Sequence, residues 1–204
     1  MSNGAFIALM LRGAVFAVGL MTCHALHAND APVRPPTTGV LADAARSHTY
    51  VGALTAGWRS LLDAHVPRVN LYLGMSDDDA PEPLRYAVAA TTSQGRPIER
   101  ADGSMVVASC RPGSCQEKGM VWASSDGVVV GALVHFYYKD PKAPMSPALL
   151  VWSRDVKASS LPHGFTMALE EWLRQPVSVA GFHAIRMVQP DGTIVDVSPA
   201  GLLP

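Results

Sequence analysis

Cysteine is scarce in this chain, and its few cysteines exclude several kinds of site. Three cysteines occur among the 204 residues, so two cysteine pairs that could hold a structural zinc ion do not exist. Four residues separate Cys110 from Cys115, whereas thiol-disulfide oxidoreductases use a Cys-x-x-Cys spacing. A thiol-disulfide enzyme built on this pair is therefore disfavoured, and a reducible thiol of low pKa would be its signature.

Charged residues are also few, and they are not clustered. They make up 16% of the chain, with a formal net charge of −1. No run of lysine and arginine and no basic stripe interleaved with aromatic residues occurs, which excludes nucleic acid as a partner. The hydrophobic content of 49% is typical of one globular domain of ordinary size.

The motifs of the common enzyme and metal sites are missing as well. The chain has no Gly-x-Ser-x-Gly, no His-Glu-x-x-His, no Walker loop and no Rossmann glycine fingerprint. The consecutive acids Asp77–Asp79 lack the alternation of a calcium loop. Glu170 and Glu171 point about 100° apart on a predicted helix, so they cannot form a glycosidase pair. We predict that the protein is not an enzyme and binds no cofactor and no metal.

An apolar segment precedes the rest of the chain. Residues 5–21 are apolar except for Arg12 and a few small residues, and they lead into a small-residue exit. This pattern is typical of a secretory signal peptide cut after Ala28 or, less well, after Ala25. A membrane anchor is the rival interpretation, but the uncharged run is short for a span. Lipidation of Cys23 is disfavoured because lipoprotein signals place a small residue just before the cysteine, where threonine stands here.

The signal peptide sets the predicted domain organisation. Residues 1–28 are the signal, residues 29–38 a flexible Pro-containing leader, and residues 39–204 a single domain. Its C-terminal part, residues 177–199, is predicted as a hairpin extension. Cleavage removes Cys23 and leaves two cysteines, so an exported protein in the oxidising periplasm, with no membrane attachment, can pair them.

Hydrophobic periodicity predicts a mixture of helices and strands. Apolar residues recur at helical steps from Gly39 to His65, as one or two helices, and again from Met167 to Arg174. In the first of these, Trp58 is interpreted as a core residue. Strand patterns with turn signals between them cover eight further segments: Val69–Leu73, Leu84–Ala90, Ser104–Ser109, Gly119–Ser124, Val128–Tyr138, Leu149–Trp152, and the two strands of a hairpin, Phe182–Val188 and Thr193–Val197.

The loop between the two cysteines is the candidate site. It consists of the six residues Cys110, Arg111, Pro112, Gly113, Ser114 and Cys115. Strand patterns flank it on both sides, so a disulfide between its ends would make a rigid tip on a sheet. Such a tip is suited to recognition of another molecule.

The segment from Met105 through this loop to Trp122, continued to Leu133, resembles the family of inhibitors of vertebrate lysozyme (Ivy). The resemblance implies a periplasmic α+β protein, with an antiparallel β-sheet of about five strands and helices packed on one face. The C-terminal β-hairpin is added to this expectation from the turn pattern. In the family, a disulfide-held loop of pattern Cys-Lys-Pro-His-Asp-Cys enters the active cleft of c-type lysozyme, where the histidine meets the two catalytic carboxylates.

When the family loop is aligned with this sequence by position, the cysteines and the proline match, but the residue in place of the histidine differs. Cys110, Pro112 and Cys115 match, and Arg111 keeps the positive charge, but Gly113 stands in place of the histidine. Ser114 stands in place of the aspartate. The resemblance implies a periplasmic inhibitor whose partner is a c-type lysozyme or related muramidase. The alternative is a non-inhibitory binding or scaffold module of the same fold that serves an endogenous peptidoglycan-cleaving enzyme or another ligand.

Two roles for Arg111 remain open at this point. Its guanidinium can grip a carboxylate with two hydrogen bonds and so replace part of the family histidine. Alternatively, it is a solvated surface charge. The oligomeric state is also open, and a homodimer is compatible with the sequence.

Overall fold

The computed structural model describes residues 37–71, 81–136, 147–174, 181–182 and 184–202. The predicted signal peptide, the acidic run Asp77–Asp79 and His183 lie outside these ranges. The first helix begins at Thr37, two residues inside the predicted leader. Within the described ranges, every helix is too short or too polar to cross a membrane.

Two helices and a short turn occupy the first helical segment. Helix α1 spans Thr37–Arg46 and helix α2 spans Thr55–His65, with a single 3-10 turn at Val51–Ala53 between them. Helix α2 buries one stripe because its apolar residues recur at steps of three and four. Trp58 belongs to that stripe and is 5% exposed, which confirms its interpretation as a core residue.

The segment predicted as a strand at Leu84–Ala90 is a helix, so that prediction is wrong. Helix α3 spans Leu84–Thr92, and its buried positions Leu84, Ala87, Val88 and Thr91 follow helical spacing. Alanine, which has the highest helix propensity, occupies three of its nine positions. Pro83 precedes the helix, where a missing N–H has no cost. Helix α4 spans His163–Leu173, four residues ahead of its predicted start.

The strands form one small and one large sheet in the described part of the chain. Strands β1 (Asn70–Leu71) and β2 (Glu82–Pro83) make a two-residue antiparallel pair. The large sheet has the order β3 to β9. Its strands are β3 (Ile98–Glu99), β4 (Met105–Arg111), β5 (Ser114–Ala123), β6 (Val129–Phe136), β7 (Pro147–Trp152), β8 (Ala184–Val188) and β9 (Ile194–Asp196).

The large sheet is mixed, whereas about five antiparallel strands were predicted. Neighbouring strands are antiparallel except for β7 and β8, which pair in parallel. Helix α4 lies between them in the sequence, and a helical crossover of this kind allows parallel pairing. The predicted C-terminal hairpin is confirmed as β8 and β9. It continues the main sheet through β7, so it is not a separate extension.

Helices cover both faces of the sheet, where one face was predicted. Residues alternate along β5, so that Val121 packs with Trp58 and Leu84 beneath helices α1 to α3, while Met120 packs with Phe165 of α4. This alternation follows from the two-residue period of a strand. From Glu117 onward β5 is consequently buried on both sides, as are residues 129–135 of β6 and all of β7.

Candidate functional site

The six predicted site residues lie together at the end of the β4–β5 hairpin. Arg111 pairs with Ser114 in the ladder, so Pro112 and Gly113 alone make the turn. Gly113 has a φ of +82°, a value that glycine reaches without the steric cost of a Cβ atom. Proline followed by such a glycine is the combination that a type II turn favours.

A disulfide joins Cys110 to Cys115 directly beneath the turn, with Cα atoms 4.7 Å apart. The ladder changes register at this place, because Cys110 pairs with Lys118 while the next residue, Arg111, pairs with Ser114. Residues 115–117 therefore bulge out of the regular pairing. The disulfide links the two strands where backbone pairing is interrupted, and it keeps the turn in one place.

The tip of the hairpin is open to solvent. Pro112, Gly113 and Cys115 are exposed, and Arg111 and Ser114 are half-buried. Apart from Gly113 and its two chain neighbours, no residue has an atom within 4 Å of the point where a Cβ atom on Gly113 would stand. The hairpin therefore presents a narrow ridge of backbone and small side chains that a partner can reach from outside.

A buried carboxylate holds the arginine of the tip. The Arg111 Nε atom lies 3.2 Å from Glu117 Oε2, and the two side chains are 28% and 5% exposed. Burial raises the pKa of the Glu117 carboxyl; the positive charge of Arg111 opposes this shift, and the negative charge of Glu82 adds to it. Arg111 is thus part of an ion pair rather than a simple solvated charge. The contact with Glu117 orients its guanidinium.

On the other face of β5, the neighbouring residue is also a buried charge. The Lys118 ammonium lies 3.4 Å from the carbonyl oxygen of Trp172 and 4.7 Å from the centre of its ring. Burial lowers the pKa of Lys118, while the carbonyls at the C-terminal end of α4 favour a cation there. The base of the hairpin is therefore fixed to α4 on one side.

Helix α3 fixes the hairpin on the opposite side. The Ser109 hydroxyl donates a hydrogen bond of 2.8 Å to the carbonyl of Thr91. Gly119 faces the same residue, and a Cβ atom there would stand 2.3 Å from Thr91 Oγ1. Only glycine at position 119 permits this close approach of strand and helix.

A second polar cluster contains the residue types of a hydrolytic triad but not its geometry. His65 Nδ1 lies 2.8 Å from Asp155 Oδ2, and the same oxygen accepts a hydrogen bond of 2.9 Å from the backbone N–H of Val129. The nearby Ser153 hydroxyl donates to the Val129 carbonyl at 2.7 Å and is fully buried. A buried hydroxyl engaged with a carbonyl cannot reach a substrate, so this cluster is structural.

Sequence reasoning did not detect the buried charges or this cluster. Glu117 follows a polar stretch and resembles an ordinary surface residue, and His65 and Asp155 are 90 positions apart.

Glu170 and Glu171 each pair with an arginine, Arg174 and Arg100 respectively. Among the described residues, no group of three His, Cys, Asp or Glu side chains is arranged to hold a metal ion.

The chain was compared with protein-family models, with curated proteins and with solved structures, and none of the three comparisons found a match.

Proposed function

We propose that this protein is a periplasmic inhibitor of c-type lysozyme or a related muramidase, and that it acts by inserting the β4–β5 hairpin into the active cleft. The observation that carries the proposal is the exposed Pro112–Gly113 turn held by the Cys110–Cys115 disulfide. A tip that is rigid before binding loses little conformational entropy on association. Inhibition by such a tip requires occlusion of the cleft and no chemistry.

The target site suits the groups that this tip presents. A muramidase needs one carboxyl group protonated as the acid and the other ionised, with the sugar between them. The backbone N–H of Gly113 and the Ser114 hydroxyl are donors for such carboxylates, whereas Pro112 has no N–H to donate. Arg111, half-buried and oriented by Glu117, adds a positive charge beside them.

The alternative function is a binding or scaffold module that does not inhibit. Gly113 favours it, because this residue offers no side chain to either carboxylate of a muramidase. The pairing of Arg111 with Glu117 also favours it, since that contact engages part of the guanidinium within the protein. Such a module would still use the rigid hairpin, but for an endogenous peptidoglycan-cleaving enzyme or another ligand.

Inhibition constants for c-type and g-type lysozymes test the proposal. We expect the wild-type protein to inhibit a c-type enzyme, and Arg111→Ala to raise the inhibition constant at least about 30-fold, the equivalent of about 2 kcal/mol. The matched control is Arg46→Ala, which removes an exposed arginine on α1. A wild-type protein that inhibits strongly while Arg111→Ala changes nothing would eliminate the role of the arginine.

Histidine at the tip provides a second variant. Gly113→His restores the side chain of the family loop, but the φ of +82° makes any side chain cost about 1–2 kcal/mol there. We therefore expect this variant to gain no inhibition. Absence of inhibition by the wild type together with a gain in Gly113→His would instead support the non-inhibitory module. Retention of the protein on immobilised muramidases then identifies what that module binds.

A further inference from the structure

A groove of about 550 Å³ lies between helices α2 and α3. It shares no lining residue with the hairpin. Its walls come from both helices, namely Trp58, Arg59 and Leu62 on α2 and Arg85, Tyr86 and Ala89 on α3. Grooves of this size with a mainly apolar lining and a few polar groups are typical of small-molecule sites.

The groove carries more positive than negative charge. A second groove of about 480 Å³ adjoins it, shares Leu62 and Arg85, and adds Asp63 and Arg68. The one acid of the pair of grooves, Asp63, forms an ion pair with Arg85. Within the described ranges, neither Arg59 nor Arg68 forms a salt bridge with an acid. This local excess contrasts with the net charge of −1 for the whole chain.

The same groove presents an aromatic surface. Tyr86 is 55% exposed, and the Arg85 guanidinium lies 5.0 Å from the centre of its ring. Trp58 is one of the lining residues, although its side chain is almost completely buried. A planar or apolar group can therefore pack against Tyr86 and Ala89 while an attached anion reaches Arg59, which is exposed.

We propose that the groove between α2 and α3 is a binding site for an organic carboxylate, in which Arg59 pairs with the carboxylate and the apolar or planar body lies against Tyr86 and Ala89. Charge and surface both support this class of ligand. The arginines of the lining can bind an anionic group. The ring of Tyr86 can contact the organic body of such a ligand, which an inorganic anion lacks.

Benzoate is a suitable probe, and the indole N–H signals of the tryptophans are a direct readout in two-dimensional NMR. We expect benzoate to shift the Trp58 signal saturably. The signals of Trp122 and Trp152 are internal controls, because neither residue lines the groove. Absence of a saturable Trp58 shift, or equal shifts of all three signals, would overturn the proposal.

Matched variants and probes separate the contributions of charge and surface. Arg59→Gln should weaken benzoate binding at least about fivefold, whereas Arg46→Gln, which removes the same charge from α1, should change it less than about twofold. Benzamide, with the same shape and no charge, should bind at least about fivefold more weakly. Benzamide that binds as well as benzoate would refute the carboxylate pairing, and inorganic phosphate that competes as well as benzoate would refute the contact with Tyr86.

Discussion

At the scale of single residues, the unusual feature is a carboxylate buried beside an exposed tip. Glu117 is 5% exposed and forms an ion pair with Arg111. Because burial raises its pKa, the folded protein holds this proton more tightly than the unfolded chain does. Its ionised form therefore destabilises the fold, and the ion pair with Arg111 offsets part of that effect.

This arrangement predicts how stability depends on pH. A raised carboxyl pKa makes the folded state bind more protons in the window above the ordinary value of 4.5, so the free energy of unfolding falls as pH rises through that window. Glu117→Gln removes the titration, so the stability of the wild type relative to this variant should decrease as the pH rises above about 4.5. Urea denaturation at a series of pH values measures the difference.

The control for this prediction is Glu99→Gln, which changes an exposed carboxylate on β3 in the same way. Its stability difference from the wild type should vary less with pH than that of Glu117→Gln. A wild type that becomes more stable relative to Glu117→Gln with rising pH would show that Arg111 outweighs burial.

At the scale of elements, the hairpin combines a rigid tip with an irregular ladder. By the chain-entropy relation, a disulfide that closes so short a ring stabilises the fold by about 2 kcal/mol. The double substitution Cys110→Ser with Cys115→Ser should therefore lower the free energy of unfolding by about that amount. Hydrogen exchange should accelerate at residues 110–117, where pairing is irregular, and stay slow in β6 and β7.

Two results would contradict this expectation. Complete unfolding of the double variant would show that the whole domain requires the disulfide in order to fold. Unchanged exchange at residues 110–117 would show that Lys118 and Ser109, which contact α4 and α3, hold the hairpin without the disulfide.

The hairpin was predictable from sequence, whereas α3 was not. Strand patterns on both sides of a Cys-bounded Pro-Gly turn are local signals, so β4 and β5 could be placed without tertiary information. The segment Leu84–Thr92 is short and apolar, and periodicity alone does not separate a buried helix from a strand in such a run. Burial of Glu117 depends on tertiary packing, which brings it within range of the charge of Glu82 on β2, and no local sequence pattern indicates that.

At the scale of the whole molecule, a polar cluster ties helix α2 to the central sheet. Asp155, just beyond β7, accepts hydrogen bonds from the end of α2 at His65 and from the start of β6 at Val129. Arg154 donates to the carbonyls of Asp63 and Ala64, which are among the free carbonyls at the end of the helix. Hydrogen bonds between residues far apart in sequence thus hold the C-terminal end of α2 against the sheet.

Removal of this acceptor should affect the global stability. Asp155→Ala leaves the Val129 N–H without its carboxylate partner in a half-buried site, so we expect a loss of about 2 kcal/mol in the free energy of unfolding. Asp155→Asn keeps an acceptor of the same shape and should lose less. Denaturation curves of both variants measure this, with Asp196→Ala, an exposed position on β9, as the control. Equal losses for alanine and asparagine would assign the effect to charge alone.

The parallel pairing of β7 with β8 has a consequence for the order in which the fold can be completed. All six residues of β7 are buried and uncharged, and one edge of this strand is covered only when residues 184–188 arrive near the end of the chain. Until then, an apolar strand with unpaired backbone groups is open to other copies, which is the usual origin of aggregation. A chain that ends at residue 182 should therefore scatter light and form insoluble material at concentrations where the full chain stays monodisperse.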